Sequence, residues 1–248
     1  MIYYFSGTGN SKWVAEQLAL KTNDIAVNMV GLKVVPSTDG QTLGIVFPIY
    51  AWGIPEPVLE FVKRLHGLPA FTFGACTCGD EAGNAMQKLS RIIALNSSYS
   101  ISMPSNYIIG SDVESNENIA SKISKAKEKI ETIAAQIIAK QSIHDVNKGQ
   151  MAWIKTNLAN FGFNMAARST KPFYVTDMCI SCGECAKNCP ANSISLVDGK
   201  PRWGEKCYQC TSCINRCPTQ AIENGKNTAT RGRYKFTDNQ ELTASIGS

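Results

Sequence analysis

Eight of the ten cysteines in this 248-residue chain fall in two runs of one spacing, C-x2-C-x2-C-x3-C-P. The first is Cys179, Cys182, Cys185, Cys189 and Pro190, the second Cys207, Cys210, Cys213, Cys217 and Pro218. Three thiolates separated by two residues can wrap one face of an iron-sulfur cubane, while the fourth, carried off by a turn at the proline, reaches the neighbouring cluster. The pattern assigns Cys179, Cys182, Cys185 and Cys217 to one [4Fe-4S] cluster, and Cys207, Cys210, Cys213 and Cys189 to a second. Zinc is the competing metal, yet zinc sites favour two separated C-x2-C pairs over a third cysteine and a C-P step. Clusters that act only as staples are the other alternative. Two built side by side suit electron relay better, because a single metal suffices as a staple.

A second chemical signal is Ser6-Gly7-Thr8-Gly9-Asn10-Ser11, between a β-rich run (Ile2 to Phe5) and a helical pattern carried by Trp13, Val14, Gln17, Leu18 and Lys21. Backbone N–H groups of a Gly-rich turn and the positive end of a helix can hold a phosphate. The hydroxyls of Ser6, Thr8 and Ser11 add donors without any cation. A Walker A loop is excluded because no Gly-Lys-[Ser/Thr] follows, and G-x-G-x-x-G because Lys12 stands where the third glycine belongs. On the residues alone, an ordinary strand-to-helix turn stays open.

The loop resembles that of the flavodoxins, [Ser/Thr]-x-Thr-Gly-x-[Ser/Thr] directly after strand one, and matches it at Ser6, Thr8, Gly9 and Ser11. Pro48-Ile49-Tyr50-Ala51-Trp52-Gly53 is similar to the flavodoxin loop that lays an aromatic ring on the isoalloxazine, and Cys76-Thr77-Cys78-Gly79-Asp80 to the third flavin-binding loop. With the cysteine runs, the whole chain resembles a flavodoxin fused to a bacterial-type two-cluster ferredoxin, a family of anaerobic prokaryotes. The likeness covers residues 1–140 and 172–225, and extends to Met103-Pro104-Ser105-Asn106-Tyr107 and to Arg231–Tyr234.

The resemblance implies FMN. Its phosphate would lie against Ser6, Gly7, Thr8, Gly9, Asn10 and Ser11, and its ring among Tyr50, Ala51, Trp52, Gly53, Thr77, Cys78, Gly79 and Asp80. One departure stands out: residues 77–83 offer no aromatic, so one flavin face is left to the ferredoxin module or to a partner. Cys76 and Cys78 put thiols in that neighbourhood, although buried cysteines mostly act as small inert hydrophobes.

Positioning these groups takes strands alternating with helices. Strands are expected at Ile2–Phe5, Asp24–Val30, Leu43–Phe47, Phe71–Cys76 and Ser100–Met103, and helices at 57–65, 82–94 and Asn116–Lys140, the last with a stripe of Ile119, Ile123, Ala126, Ile130, Ile133 and Ile137. That order predicts a flavodoxin-like, doubly wound parallel α/β sheet with a C-terminal α+β ferredoxin module. The module repeats itself at an offset of 28, from Cys179/Cys207 to Ile194/Ile222. The expected division is 1–145 for FMN, 146–171 as a connector packed through Trp153, Leu158 and Phe161, 172–225 for the clusters, and 226–248 as a polar tail with mobile last residues.

The remaining candidates are weaker. Ser193, where the second repeat has Ala221, could hydrogen-bond a cluster sulfur and make the clusters unequal. Trp203 and Tyr208 are expected to shield a cluster, and His66 and His144 to sit at helix ends with no catalytic partner.

Hydrophobic residues at 44% and charged residues at 18% indicate an ordinary globular chain. The formal +5 lies entirely after residue 150. Eight thiolates around two oxidised clusters contribute a net −4 and leave about +1, so the basic balance compensates for clusters and gives no reason to expect nucleic acid. No apolar run approaches the ~20 residues of a membrane span, and the apolar start is too short for a signal peptide, so a cytoplasmic location is expected.

The expected function is electron transfer between FMN and two [4Fe-4S] clusters, coupling two-electron and one-electron redox partner proteins, with no catalytic acid or base. The alternatives are a flavin-dependent reductase of a quinone or other small substrate fed by ferredoxin-type electrons, and a flavin-free ferredoxin or sensor whose α/β part only docks. The basic Arg231, Arg233 and Lys235 are candidates for steering a partner.

Overall fold

A computed structural model describes residues 1–236. Strands β1 (Ile2–Tyr4), β2 (Ala26–Asn28), β3 (Thr42–Pro48), β4 (Phe71–Cys78), β5 (Ser97–Ser102) and β6 (His144–Asp145) form one sheet in the order β2-β1-β3-β4-β5-β6, every pair parallel. A parallel sheet is covered on both faces and its strands read as continuous apolar runs; β4 is buried at every residue. Helices α1 (Asn10–Lys21) and α4 (Asn116–Ile138) share one core with Ile2, Val46 and Phe73 through Trp13, Leu18, Ile123 and Ile130. Helices α2 (Glu56–Val62) and α3 (Ala85–Ser90) share the other with Tyr3, Phe5, Ile45 and Phe47 through Val58, Phe61, Met86 and Leu89. This is the flavodoxin-like α/β arrangement, whose ligand crevice lies at the carboxyl ends of β1 and β3, where the strand order reverses.

Three local expectations are corrected. The helix expected over 82–94 contracts to α3, because Gly83 takes a left-handed φ of +59° and the Asn84 amide is drawn 2.8 Å onto Thr156 Oγ1. His144 lies on the edge strand β6 and not at a helix end, with Nδ1 2.9 Å from Ser98 Oγ; a two-residue strand leaves no periodicity to find. The helical stretch over 152–167 contains two π-helical turns, Lys155–Ala159 and Phe163–Ala167, and it presents Trp153, Leu158 and Phe161 outward. Its inner face is carried by Thr156, Asn160 and Phe163.

In the C-terminal module β7 (Phe173–Val175) pairs antiparallel with β10 (Ile222–Asn224), and β8 (Ile194–Val197) with β9 (Lys200–Trp203), around a third core of Ile108, Phe173, Cys185, Ile194, Ile214 and Ile222. The 28-residue repeat recurs in the backbone: Ser181 and Gln209 (φ 58° and 56°), Gly183 and Thr211 (75° and 54°), and Asn192 and Gln220 (50° and 51°) all turn left-handed at equivalent places.

Residues 231–236 then return to the first helix layer. Phe236 stacks on Trp13 with ring centroids 5.0 Å apart, and the Phe236 amide donates to Thr8 O at 2.9 Å. Two of the three basic residues proposed to steer a partner are committed internally. Arg233 pairs with Glu223 at 2.6 Å, both less than a tenth exposed, and Arg231 Nη1 donates to the carbonyls of Ile108 and Ile109 at 2.7 and 2.8 Å. Only Lys235 stays exposed. The mobility expected of the last ten residues lies outside the described residues.

Candidate functional site

The loop Ser6–Gly9 carries the chain from β1 into α1, whose first amides have no carbonyl inside the helix. Gly9 turns at φ +118°, a conformation open to glycine, and a Cβ there would also meet the Phe236 Cβ at 2.8 Å. The three hydroxyls of the loop are already ordered, mostly as acceptors. Ser6 Oγ accepts from the Gly9 amide (3.1 Å), Thr8 Oγ1 from Asn106 Nδ2 (2.7 Å), and Ser11 Oγ shares a bond with Thr77 Oγ1 (2.7 Å). A hydroxyl that accepts keeps its own proton for donation. The loop therefore offers fixed O–H and N–H donors, while Lys12 is half exposed and faces Glu16.

The 48–53 loop ends β3. Tyr50 and Gly53 exchange backbone hydrogen bonds (3.1 and 2.9 Å) around Ala51 and Trp52, which sit at φ 44° and 59°. This is the geometry of a type I′ turn, which usually takes Asn-Gly. Non-glycine residues there cost on the order of 1–3 kcal/mol each, and such strain persists where the surroundings hold it. The 152–167 stretch holds it: Asn160 Nδ2 donates to Tyr50 O (3.0 Å), Lys155 lies over the Trp52 ring and pairs with Glu81 (2.5 Å), and Lys88 Nζ donates to Thr156 O (3.0 Å).

These loops enclose a cavity of about 260 Å³, close to the lower end of the ~300–1,000 Å³ usual for small-molecule sites. Of the residues expected around a flavin, Ser6, Gly7, Thr8, Asn10, Ser11, Tyr50, Ala51, Trp52, Thr77, Cys78 and Gly79 line it. Gly9, Gly53 and Asp80 stand outside its lining, Asp80 being largely exposed with a carboxylate 3.8 Å from Lys122. Ser105 and Asn106 add to the polar end. Tyr107 and Phe163, edge to face with centroids 6.1 Å apart, add to the aromatic end, as does Gln209 from the cysteine loop. Phe163 and Tyr107 supply the aromatics that the third loop lacks; Tyr107 lies in the 103–107 stretch that carries the resemblance, whereas nothing in the sequence pointed to Phe163 or Gln209. The 152–167 pattern pointed to Phe161, one side of the helix away.

Among the described residues no charged side chain lines the cavity. Burial pushes the Cys78 thiol up to about 12 and holds Cys76 well above the ordinary thiol range, so both stay protonated; Cys76 does not reach the cavity. The cavity lining is made of hydroxyls, amides, aromatic rings and small apolar side chains, groups suited to binding a small molecule.

The cysteines form two groups. Cys179, Cys182, Cys185 and Cys217 line one hollow with Leu196, Pro201 and Ile222; Cys189, Cys207, Cys210 and Cys213 line another with Trp203, Tyr208 and Ser212. Among the described residues no three His, Cys, Asp or Glu side chains are placed to hold a single metal ion. Burial raises the Cys210 thiol to about 12 and Cys213 well above normal, so only metal binding makes these groups thiolates. The amide of Ser193 donates to Cys189 Sγ (3.5 Å), as that of Ala221 does to Cys217 Sγ (3.2 Å); this contact is a backbone one common to both repeats, whereas the sequence pointed to the Ser193 hydroxyl as a donor that would set the clusters apart.

The cavity and the second group of cysteines share a wall. A Cβ on Gly7 would meet Cys210 O at 2.7 Å, Cys210 Cβ at 3.1 Å and Tyr50 Oη at 3.2 Å, while Arg216 Nε donates to Gly7 O at 3.1 Å. Asn106 fastens both sides, donating to Thr8 Oγ1 while its carbonyl accepts from Thr211 Oγ1 (3.0 Å) and Asn215 Nδ2 (3.1 Å). Tyr234 bridges them again, from its amide to Asn215 Oδ1 (2.9 Å) and its hydroxyl to Asn10 Oδ1 (2.8 Å).

A family model described as a 4Fe-4S dicluster domain matches residues 178–222, which span both cysteine runs. No curated protein matches the chain. The C-terminal part is thus a ferredoxin-type module for iron-sulfur electron transfer. Among the described residues no helix is long and apolar enough to cross a membrane.

Proposed function

We propose that the protein is an iron-sulfur flavoprotein that carries electrons between FMN, bound in the cavity, and two [4Fe-4S] clusters held by the crossed cysteine sets. The observation that carries this reading is the shared wall: Gly7, in the anion-binding loop, packs directly on Cys210. A flavin exchanges two electrons and releases them singly, whereas each cluster passes one, so the bound groups would couple two-electron to one-electron partners.

The chain's own residues do the positioning. Ser6, Thr8 and Ser11 and the first amides of α1 hold the phosphate end. The strained Tyr50–Gly53 turn, Tyr107 and Phe163 confine the ring end and exclude water. Each cysteine set surrounds one cluster, with Cys189 and Cys217 exchanged between the two runs. The proposed division is 1–145 for the flavin, 146–171 as a clamp across the 50s and 80s loops, 172–225 for the clusters, and 226–248 as a tail whose first part straps the phosphate loop. Among the described residues no ionised side chain stands at the cavity to act as acid or base, and on that ground the carrier is preferred to a substrate-specific reductase. Flavin released on denaturation, quantified beside iron in anaerobically purified protein, tests the reading; protein that retains full iron and takes up no FMN on titration would overturn it.

A further inference from the structure

The internal repeat provides a control within one molecule, because most features of one cysteine set recur around the other. Cys179 O accepts from Lys200 Nζ at 3.1 Å, and its equivalent Cys207 O from Arg168 Nε at 2.6 Å. The amides of Ser193 and Ala221 serve Cys189 and Cys217 alike. Side-chain donors break the symmetry. Three buried donors around the second set close no hydrogen bond of normal geometry: Tyr50 Oη, Trp203 Nε1 and Ser212 Oγ. Trp203 and Ser212 line the hollow of Cys189, Cys207, Cys210 and Cys213, and Trp203 Nε1 faces the Cys213 thiol. Tyr50 Oη and Cys210 Cβ lie 3.2 and 3.1 Å from one point, the place a Cβ on Gly7 would take. In the first set the residues equivalent to Trp203 and Ser212 are Val175 and Glu184, neither an N–H nor an O–H donor; against them the first set has Thr219 Oγ1, 3.7 Å from Cys217 Sγ, where the second has Ala191. Thr176 Oγ1 is also buried and unpartnered, but it does not line the first hollow.

A buried O–H or N–H without a partner is costly, so the two that line this hollow, with Tyr50 Oη beside Cys210 at its wall, are explained by an acceptor that belongs there. Cluster and thiolate sulfurs are such acceptors, and donation to them favours the reduced, more negative state. We infer that Tyr50, Trp203 and Ser212 are positioning residues that make the cluster of Cys189, Cys207, Cys210 and Cys213 the more easily reduced of the two. Solvent at the exposed Cys182 favours reduction of the other cluster, but fixed dipoles in a dry pocket act through a lower dielectric and dominate. An electron reaching the surface cluster then passes inward, one cluster being oxidised as the other is reduced, towards the wall that Cys210 shares with the cavity.

The inference rests on the cluster assignment of the proposed function and not on the flavin. An anaerobic redox titration followed by electron paramagnetic resonance tests it on the full chain. Two separate one-electron cluster waves are expected. Tyr50→Phe, Trp203→Phe and Ser212→Ala should each move the higher wave to more negative potential and leave the lower one in place, whereas Thr176→Val should move neither. Coincident waves in the unaltered protein, or variants that keep full iron and shift only the lower wave or none, would overturn it. Unequal waves in protein that binds no FMN would uphold this inference while sinking the flavin reading.

Discussion

Gly7→Ala isolates the contact on which electron exchange between the cavity and the cysteines would depend. Gly7 does not occupy a left-handed conformation, so alanine fits its backbone and any effect comes from the added methyl. That methyl would stand 2.7 Å from Cys210 O, about 0.7 Å inside the 3.4 Å at which ordinary contact begins, and its neighbours are a backbone carbonyl, a Cβ and a buried tyrosine hydroxyl rather than a flexible side-chain end. The wall must open, and overpacking of this kind costs about 1–3 kcal/mol. If that cost falls on the loop that holds phosphate, FMN binding weakens roughly 5- to 150-fold. Flavin fluorescence quenching on titration of flavin-free protein measures it, with iron content as the control that the clusters remain. Unchanged FMN affinity and unchanged thermal stability would show that the loop and the cysteine module do not pack as described.

Other substitutions probe the same frame. Cys217→Ser should remove the same cluster as Cys182→Ser, leaving about four iron and one residual spectrum for both, while Cys189→Ser should leave the other spectrum; residual signals that follow sequence runs instead of the crossed sets would refute the pairing. Tyr234→Phe deletes the hydroxyl that holds Asn10 and should weaken FMN binding several-fold, in line with about 1–3 kcal/mol for a buried acceptor left unpaired, as calorimetry would read. Arg233→Met strands Glu223 in a buried site and should cost about 3–5 kcal/mol in urea unfolding; a loss under 1 kcal/mol would show that water reaches the pair. With the folded Cys78 thiol raised to about 12, its alkylation in flavin-free protein should climb about tenfold per pH unit beyond pH 9, because thiolate keeps accumulating until the folded pKa; a plateau near pH 9 would mean an ordinary exposed thiol.

What the sequence made legible divides by the range of the interaction. The cysteine runs, the phosphate loop and the apolar strands are local patterns, and they recur as two hollows, a β1–α1 turn and a doubly wound sheet. What it hid is tertiary. Phe163 and Gln209 reach the cavity from 56 and 102 residues beyond Tyr107 in the chain, and no spacing rule links them to Tyr50. Trp153 and Leu158 face outward on a stretch that contains π turns, which change the register of a helix face without leaving a mark in composition. Arg231 and Arg233 had the look of a solvated basic tail until Glu223 and two carbonyls were found to receive them.

The central claim is tested most directly by the composition of anaerobically purified protein: iron, acid-labile sulfide and flavin per chain, with the ultraviolet-visible spectrum beside them. The account predicts about eight iron, about eight sulfide and one FMN. Eight iron with no flavin, retained or taken up, would leave a two-cluster carrier whose α/β part serves some other purpose. Zinc in place of iron would contradict the redox account altogether.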